Sequence, residues 1–450
     1  MKRKIYNRLI EWKKRDGGSS ALLIEGARRI GKSYIAEQFG RNEYDSYILV
    51  DFSTAPEEIT GLFTDYMHDL DAIFERLQLF YNKKLIERKS LIIFDEIQFC
   101  PKARAAIKHL VADGRYDYIE TGSLISIKRN VEDILIPSEE ETVEMYPMDF
   151  EEFLWAIGED LLMPYIKRQY ESKKAMGDAF HRRAMDCFRK YMIVGGMPQA
   201  VVKYAETGDF FEIERIKRRI IDLYRKDIKK YGGGDGVKAA AIFDEIPGQL
   251  QRHEKKFRLS ALSDHARMRD YSDAFFWLSD AKIINCCYNS TAPNLGLRPN
   301  EARTTLKCYM GDTGLLISLA FDESGNQVEE LYRKLMFDKL EVNSGMLTEN
   351  IVSQMLVAAG HKLYFYANSD RNDAENRMEI DFLISKSKVS SRHNISPIEV
   401  KSGSRYTLTS ITKCISKYSQ YISTPYVIHD KDLKIDRGIT YLPIYMTPLL

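Results

Sequence analysis

One segment, Gly26-Ala-Arg-Arg-Ile-Gly31-Lys32-Ser33, constrains this chain more than any other. It matches GxxxxGK[ST], directly after the apolar run Ala21 to Ile24 and before the helix-compatible Tyr34 to Phe39. A glycine loop between a buried strand and a helix turns its backbone N–H groups inward, and the helix N-terminus adds a partial positive charge. Such a loop cradles phosphates. Lys32 would face the β and γ oxygens and Ser33 would ligate Mg²⁺, with Gly26, Ala27, Ile30 and Gly31 shaping the cradle. Arg28 and Arg29 either face the phosphates or stand as exposed surface arginines.

The surroundings agree with the loop. From Ala21 to about Met148, β-rich runs alternate with helical stretches, the pattern of a parallel sheet covered on both faces. The spacing predicts strands over Ala21–Glu25, Tyr47–Phe52, Leu91–Phe94, Tyr116–Glu120 and Thr142–Tyr146. The third ends in Asp95-Glu96. At that place Asp95 would hold Mg²⁺ through water and Glu96 would orient and activate an attacking water. Thr121-Gly122-Ser123 at the tip of the next strand supplies a γ-phosphate sensor, either Ser123 or Thr121, unless it is a plain turn. No arginine finger can be picked out.

These residues, with Tyr146-Pro-Met-Asp-Phe-Glu-Glu-Phe153, Gly195-Gly-Met-Pro198 and Lys307-Cys-Tyr-Met-Gly-Asp312-Thr-Gly-Leu315, resemble the prokaryotic AAA+ P-loop ATPases that carry a C-terminal domain of unknown function. The likeness extends over nearly the full length and to archaeal-type and STAND-like ATPases. It implies ATP as cofactor and substrate. Gly196-Met-Pro198 is similar to the Gly-x-Pro of signalling ATPases, whose proline lies against adenine; a helix-breaking turn is the alternative for Pro198. One departure is the stretch Ile134–Thr142, where relatives carry a Gly-Arg pair, so the resemblance implies binding more firmly than hydrolysis.

Charge narrows the partners. With 66 Lys plus Arg against 65 Asp plus Glu, the net charge is +1, so no global field draws the molecule to nucleic acid or an anionic membrane. Any DNA contact falls to one domain. Six cysteines without paired spacing suit reduced, buried thiols better than zinc or disulfides. Charged residues interrupt Met1–Trp12, and no apolar run reaches the roughly 18 residues a membrane span requires. The reading is a cytoplasmic protein without a membrane anchor.

The middle of the chain reads as helical from Phe150 to about Lys230, with Gly232 to Gly234 as punctuation. Leu259–Arg267 and Tyr271–Ala281 read as short helices before a hairpin, the order of a winged helix-turn-helix. Its second helix carries Phe275, Phe276, Trp277 and Leu278 with few charges, which favours packing or nucleotide gating over DNA reading. The segment Glu212–Lys230 presents a basic surface including Arg215, Lys217, Arg218 and Arg225. Interspersed acids make it a solvated helix first and a nucleic-acid face second.

In the last part, Gly345–Ala359 reads as helix, and Arg377–Ile384 and Pro397–Lys401 as strands joined by Ser385–Ser396. Alternation puts Glu379 and Asp381 on one face, and Glu399 with Lys401 on one face. A hairpin would bring Asp381, Glu399 and Lys401 together, with Glu349 completing the set from the preceding helix. Two carboxylates can hold Mg²⁺, and a lysine beside them can stabilise or deprotonate a water. This resembles the D…ExK core of restriction endonucleases; charges on an exposed hairpin are the alternative.

The resulting expectation is an α/β architecture in three parts. Residues 1–155 form an AAA+ P-loop NTPase domain with a parallel sheet, 156–330 a helical and winged-helix region, and 331–450 an α/β restriction-endonuclease-like domain. The function expected is Mg²⁺-dependent hydrolysis of ATP to ADP, coupled to domain rearrangement, with candidate direction to DNA and a homo-oligomer or protein partner. The rival is a nucleotide-binding switch or adaptor with little hydrolysis and an inactive C-terminal domain.

Overall fold

The computed structural model describes residues 1–122, 138–231, 235–252, 255–294, 296–321, 326–336, 344–368, 377–385, 393–403 and 406–450. The chain forms two compact units, Met1–Tyr146 and Pro147–Leu450. No helix among the described residues is long and apolar enough to cross a membrane.

The first unit is built on five parallel strands: β1 (Ala21–Gly26), β2 (Ser46–Asp51), β3 (Ser90–Asp95), β4 (Asp117–Gly122) and β5 (Glu140–Met145). Their spatial order is β2-β3-β4-β1-β5, so β1 lies between β4 and β5. Every residue of β1, β3 and β4 is buried, which explains why β1 and β3 read as continuous rather than alternating apolar runs. All five expected strands are present within two residues of their expected ends. On one face Phe52, Phe63 and Phe94 meet edge to face around Ile48, Ile92 and Leu77. The helix Lys32–Glu43 buries Ile35, Ala36 and Phe39 and thereby fixes the direction in which its first turn points.

The second unit joins a helical layer to an eight-stranded mixed sheet. Its strands are β6 (Ile284–Ser290), β7 (Glu301–Met310), β8 (Tyr364–Asn368), β9 (Met378–Ser385), β10 (Ile395–Val400), β11 (Tyr426–His429), β12 (Lys434–Asp436) and β13 (Ile439–Pro443). The order is β12-β13-β11-β10-β9-β8-β6-β7. The expected hairpin is present as β9 and β10, antiparallel with Phe382 opposite Ile398.

Three features of the middle region differ from the sequence reading. The helix expected over Leu259–Arg267 exists only as the 3-10 turn Leu259–Ala261, in which no side chain is buried, so no packing holds a longer helix. The following helix, Met268–Asp280, is present. The hairpin of β6 and β7 is not a free wing, because β6 also pairs in parallel with β8. Residues on both sides of position 331 therefore share one sheet. The helix Phe210–Tyr231 is present too, but Lys217 is absent from its basic surface. Its ammonium is fully buried and donates to Ile193 O at 3.1 Å, Gly314 O at 3.2 Å and the Tyr332 hydroxyl at 2.7 Å. Arg215 and Arg225 are paired with Glu212 and Asp244, as a solvated face requires. Gly232 to Gly234 lie outside the described residues.

Candidate functional site

The glycine loop leaves β1 where that strand is flanked by β5. A Cβ at Gly26 would lie 2.2 Å from Met145 O, so only glycine fits there. Gly31 enters the following helix with φ of 92°, a left-handed conformation that favours glycine. Between them Ala27 and Ile30 are buried while Arg28 and Arg29 are exposed. Arg3, a residue that sequence reasoning did not single out, braces the loop from outside. Its guanidinium donates to Ile30 O and Tyr146 O, each at 2.8 Å. An isolated arginine far upstream in sequence carries no pattern that would have marked it.

Lys32 is 6% exposed, and its Nζ donates to Gly26 O at 3.1 Å and Ala27 O at 2.9 Å, which holds the ammonium inside the loop. Burial lowers its pKa, while Glu96 and Asp95 oppose that shift. The two acids at the end of β3 therefore lie in the field of the lysine. Asp95 is itself raised by burial, against hydrogen bonds from Thr121 and Ser33 that favour the carboxylate. Ser33 and Asp95, one from the helix after β1 and one from β3, meet where a hard divalent cation would find a hydroxyl and a carboxylate. The donor set fits Mg²⁺.

Thr121 completes the arrangement. Its hydroxyl donates to Asp95 Oδ1 and accepts from the Glu96 amide at 3.3 Å. Of the two sensor candidates Thr121 is placed between the acids, and Ser123 lies outside the described residues. Glu96 takes a left-handed backbone with φ of 53°, uncommon for a residue with a side chain, and Gln98 Nε2 donates to its carboxylate. Thus Lys32, Ser33, Asp95, Glu96 and Thr121 come together. Pro198 opens the helix Pro198–Thr207 in the second unit.

Comparison with known families follows this geometry. Residues 18–154 match the model of an AAA domain, residues 185–326 that of a domain of unknown function, DUF8612, and residues 344–447 that of another, DUF4143. The first unit carries an AAA-type domain with a P-loop. Among solved structures the chain is similar to the Walker-type ATPase of Pyrococcus abyssi at 14% identity, TM-score 0.40, over 71% of this chain and 96% of that one. A RuvB variant of Thermotoga maritima gives 13% identity, TM-score 0.29, over 68% and 90%. The ORC1 protein of Aeropyrum pernix in complex with DNA gives 13%, TM-score 0.25, over 71% and 93%. No curated protein matches.

The C-terminal carboxylates come near one another as the hairpin implies, Glu349 and Glu399 both lying in the field of Asp381, but they engage protein groups. Among the described residues no three His, Cys, Asp or Glu side chains form a group able to hold a metal ion. Lys307 of β7, 1% exposed, instead places its ammonium 2.9 Å from Glu379, 3.6 Å from Asp381 and 3.9 Å from Glu349. Lys255 also pairs with Glu349, and the Tyr309 hydroxyl donates to that acid at 3.1 Å. Asp381 Oδ2 accepts the Val400 amide at 2.8 Å, and Glu399 is held by Lys401 at 2.6 Å. Burial acts to lower the pKa of Lys307, but Glu349, Asp381 and Glu379 outweigh it and raise the pKa. Of the expected Mg²⁺ set, Glu349 and Asp381 are engaged by protein ammonium and amide groups, while Glu399 Oε2 is buried without a hydrogen-bond partner among the described residues. Lys307 sits inside a motif visible in sequence, yet nothing local shows that β7 aims it at β9.

Proposed function

We propose that the AAA domain binds ATP with Mg²⁺ and hydrolyses it to ADP and phosphate, turnover serving to rearrange the second unit. The observation that carries the reading is the Thr121 hydroxyl between Asp95 and the Glu96 amide, within the field of Lys32. In this role the loop amides and Lys32 hold the β and γ phosphates, and Arg28 and Arg29 stand at the rim. Ser33 and Asp95 would hold Mg²⁺, which when bound neutralises charge on the phosphate oxygens. Glu96 orients the attacking water and takes its proton, and Thr121 keeps both acids in register at the strand tips.

For the C-terminal residues the reading favoured is the adaptor one, a partner-binding body without strand cleavage. Its support is the buried ammonium of Lys307 beside Asp381 and Glu349, two of the carboxylates that cleavage would require for metal. A steady-state phosphate-release assay with and without DNA tests the proposal. Turnover that needs Mg²⁺ and disappears in Glu96→Gln supports it. Absence of turnover under both conditions, with ATP still bound, leaves a nucleotide switch in its place.

A further inference from the structure

The second unit contains a cavity open to solvent. It lies beyond the carboxyl ends of the adjacent parallel strands β10 and β11, where α/β sheets commonly receive ligands. Lys401 and Ser402 follow β10, while His429 ends β11 and is followed by Asp430, so four consecutive-pair positions of two strands deliver polar groups to one mouth. The floor is apolar. Met185, Phe188 and Met192 form one stripe of the helix Asp178–Val194, and Leu347 from the first turn of the helix Ser344–Ala358 faces them.

The polar groups differ in sign and position. Lys401 donates to Glu399 at 2.6 Å and Arg189 to Asp186 at 3.3 Å, and each retains further N–H groups for a ligand. Asp430 lines the same cavity, and its Oδ1 is buried without a hydrogen-bond partner among the described residues. A buried carboxylate oxygen left unpaired is costly unless a donor reaches it. The cavity therefore asks for an anionic head, a flat apolar body and at least one N–H donor.

We propose that this cavity binds a nucleoside monophosphate group, its base against Phe188 and the methionines and its phosphate at Lys401 and Arg189. Aromatic and thioether side chains suit the face of a base, and an exocyclic amine supplies the donor Asp430 lacks. An acyl carboxylate would satisfy the cations but leave Asp430 unpaired. The group can come from a free nucleotide or from the end of a single strand, and the site is independent of the P-loop reading.

The test uses full-length Lys32→Ala protein, so that P-loop binding does not interfere, titrated calorimetrically with AMP and with a 5′-phosphorylated pentaadenylate. Saturable binding of AMP at one per chain is expected. Adding Met192→Trp, which fills the floor, or Arg189→Glu, at the half-exposed rim, should weaken it at least tenfold with the melting temperature unchanged. Competition by the oligonucleotide assigns the strand end as source, and its absence assigns the free nucleotide. No AMP binding, or binding undiminished in both variants, overturns the proposal. Failure of the ATPase reading would appear separately, as wild-type protein without turnover.

Discussion

The Asp312 carboxylate accepts the Gly196 amide at 2.6 Å, closing two glycine motifs on one buried acid. The same side chain accepts Leu315 N at 2.9 Å and so caps the helix Thr313–Ala320. Gly195 takes φ of 80°, and a Cβ there would lie 2.3 Å from Asp312 Oδ1. Asp312→Ala should leave two buried amides without acceptors, at about 1–3 kcal/mol each. Chemical denaturation should show a lowered midpoint in Asp312→Ala and in Gly195→Ala. Midpoints equal to wild type in both would show that the clasp does not stabilise the unit.

At the P-loop, Lys32→Ala removes the only buried ammonium described beside the loop carbonyls Gly26 O and Ala27 O. Nucleotide affinity in Mg²⁺ buffer should fall sharply, because no water supplies a fixed charge toward the β and γ phosphates. Titration of the variant giving wild-type affinity would place the nucleotide elsewhere.

Glu96→Gln separates binding from turnover. The amide keeps the shape of the side chain but cannot take a proton from water, so kcat should drop by about 10²–10⁴ with ATP affinity retained. Equal kcat in variant and wild type would remove Glu96 from the reaction.

Glu120 offers a pH signature. It is fully buried in β4, and burial, followed by the nearby charge of Glu140, raises its pKa well above the ordinary 4.5, against the opposing Arg104. The folded protein thus retains a proton that the unfolded chain releases. Stability from this group is full below about pH 4.5 and declines as pH rises toward the folded value. Glu120→Gln mimics the protonated acid and should raise the melting temperature at pH 8 more than at pH 5. An equal change at both pH values would mean that the carboxyl is ionised in the folded state.

What was legible in the sequence follows from which interactions are local. β1 and β3 announced themselves because burial on both faces demands unbroken apolar runs, and the loop did so because its glycines, lysine and serine are consecutive. The pairing of β9 with β10 followed from alternation about Phe382 and Ile398. Arg3, Lys307 and Asp312 were not assigned their partners, since each acts on residues far away in the chain through tertiary packing. The sequence at Leu259 has helical propensity, but no side chain of the turn is buried, so only the turn Leu259–Ala261 forms. The charge of Lys217 suggests solvent in sequence, whereas two carbonyls and a tyrosine receive it inside.

The ammonium of Lys307 stands in the place where Glu349, Glu379 and Asp381 would otherwise need a cation. Lys307→Ala should then do two opposite things. Without divalent ions it leaves Asp381 and Glu379 without their ammonium while Lys255 still pairs with Glu349, so unfolding free energy should fall, by less than the roughly 3–5 kcal/mol of a fully uncompensated buried charge. With Mn²⁺ or Mg²⁺ one or two of the same carboxylates can take a hard cation once the ammonium is gone, so binding to the folded state should restore part of that loss. Thermal melts in EDTA and in millimolar-range Mn²⁺, without nucleotide, compare wild type with the variant. Wild type should melt alike in both buffers, because the lysine competes with the metal at close range, while the variant should melt lower in EDTA and rise in Mn²⁺. Stabilisation of wild type by Mn²⁺ that is lost in Asp381→Ala would show that metal displaces the lysine, and would return the C-terminal residues to the reading of a metal-dependent site.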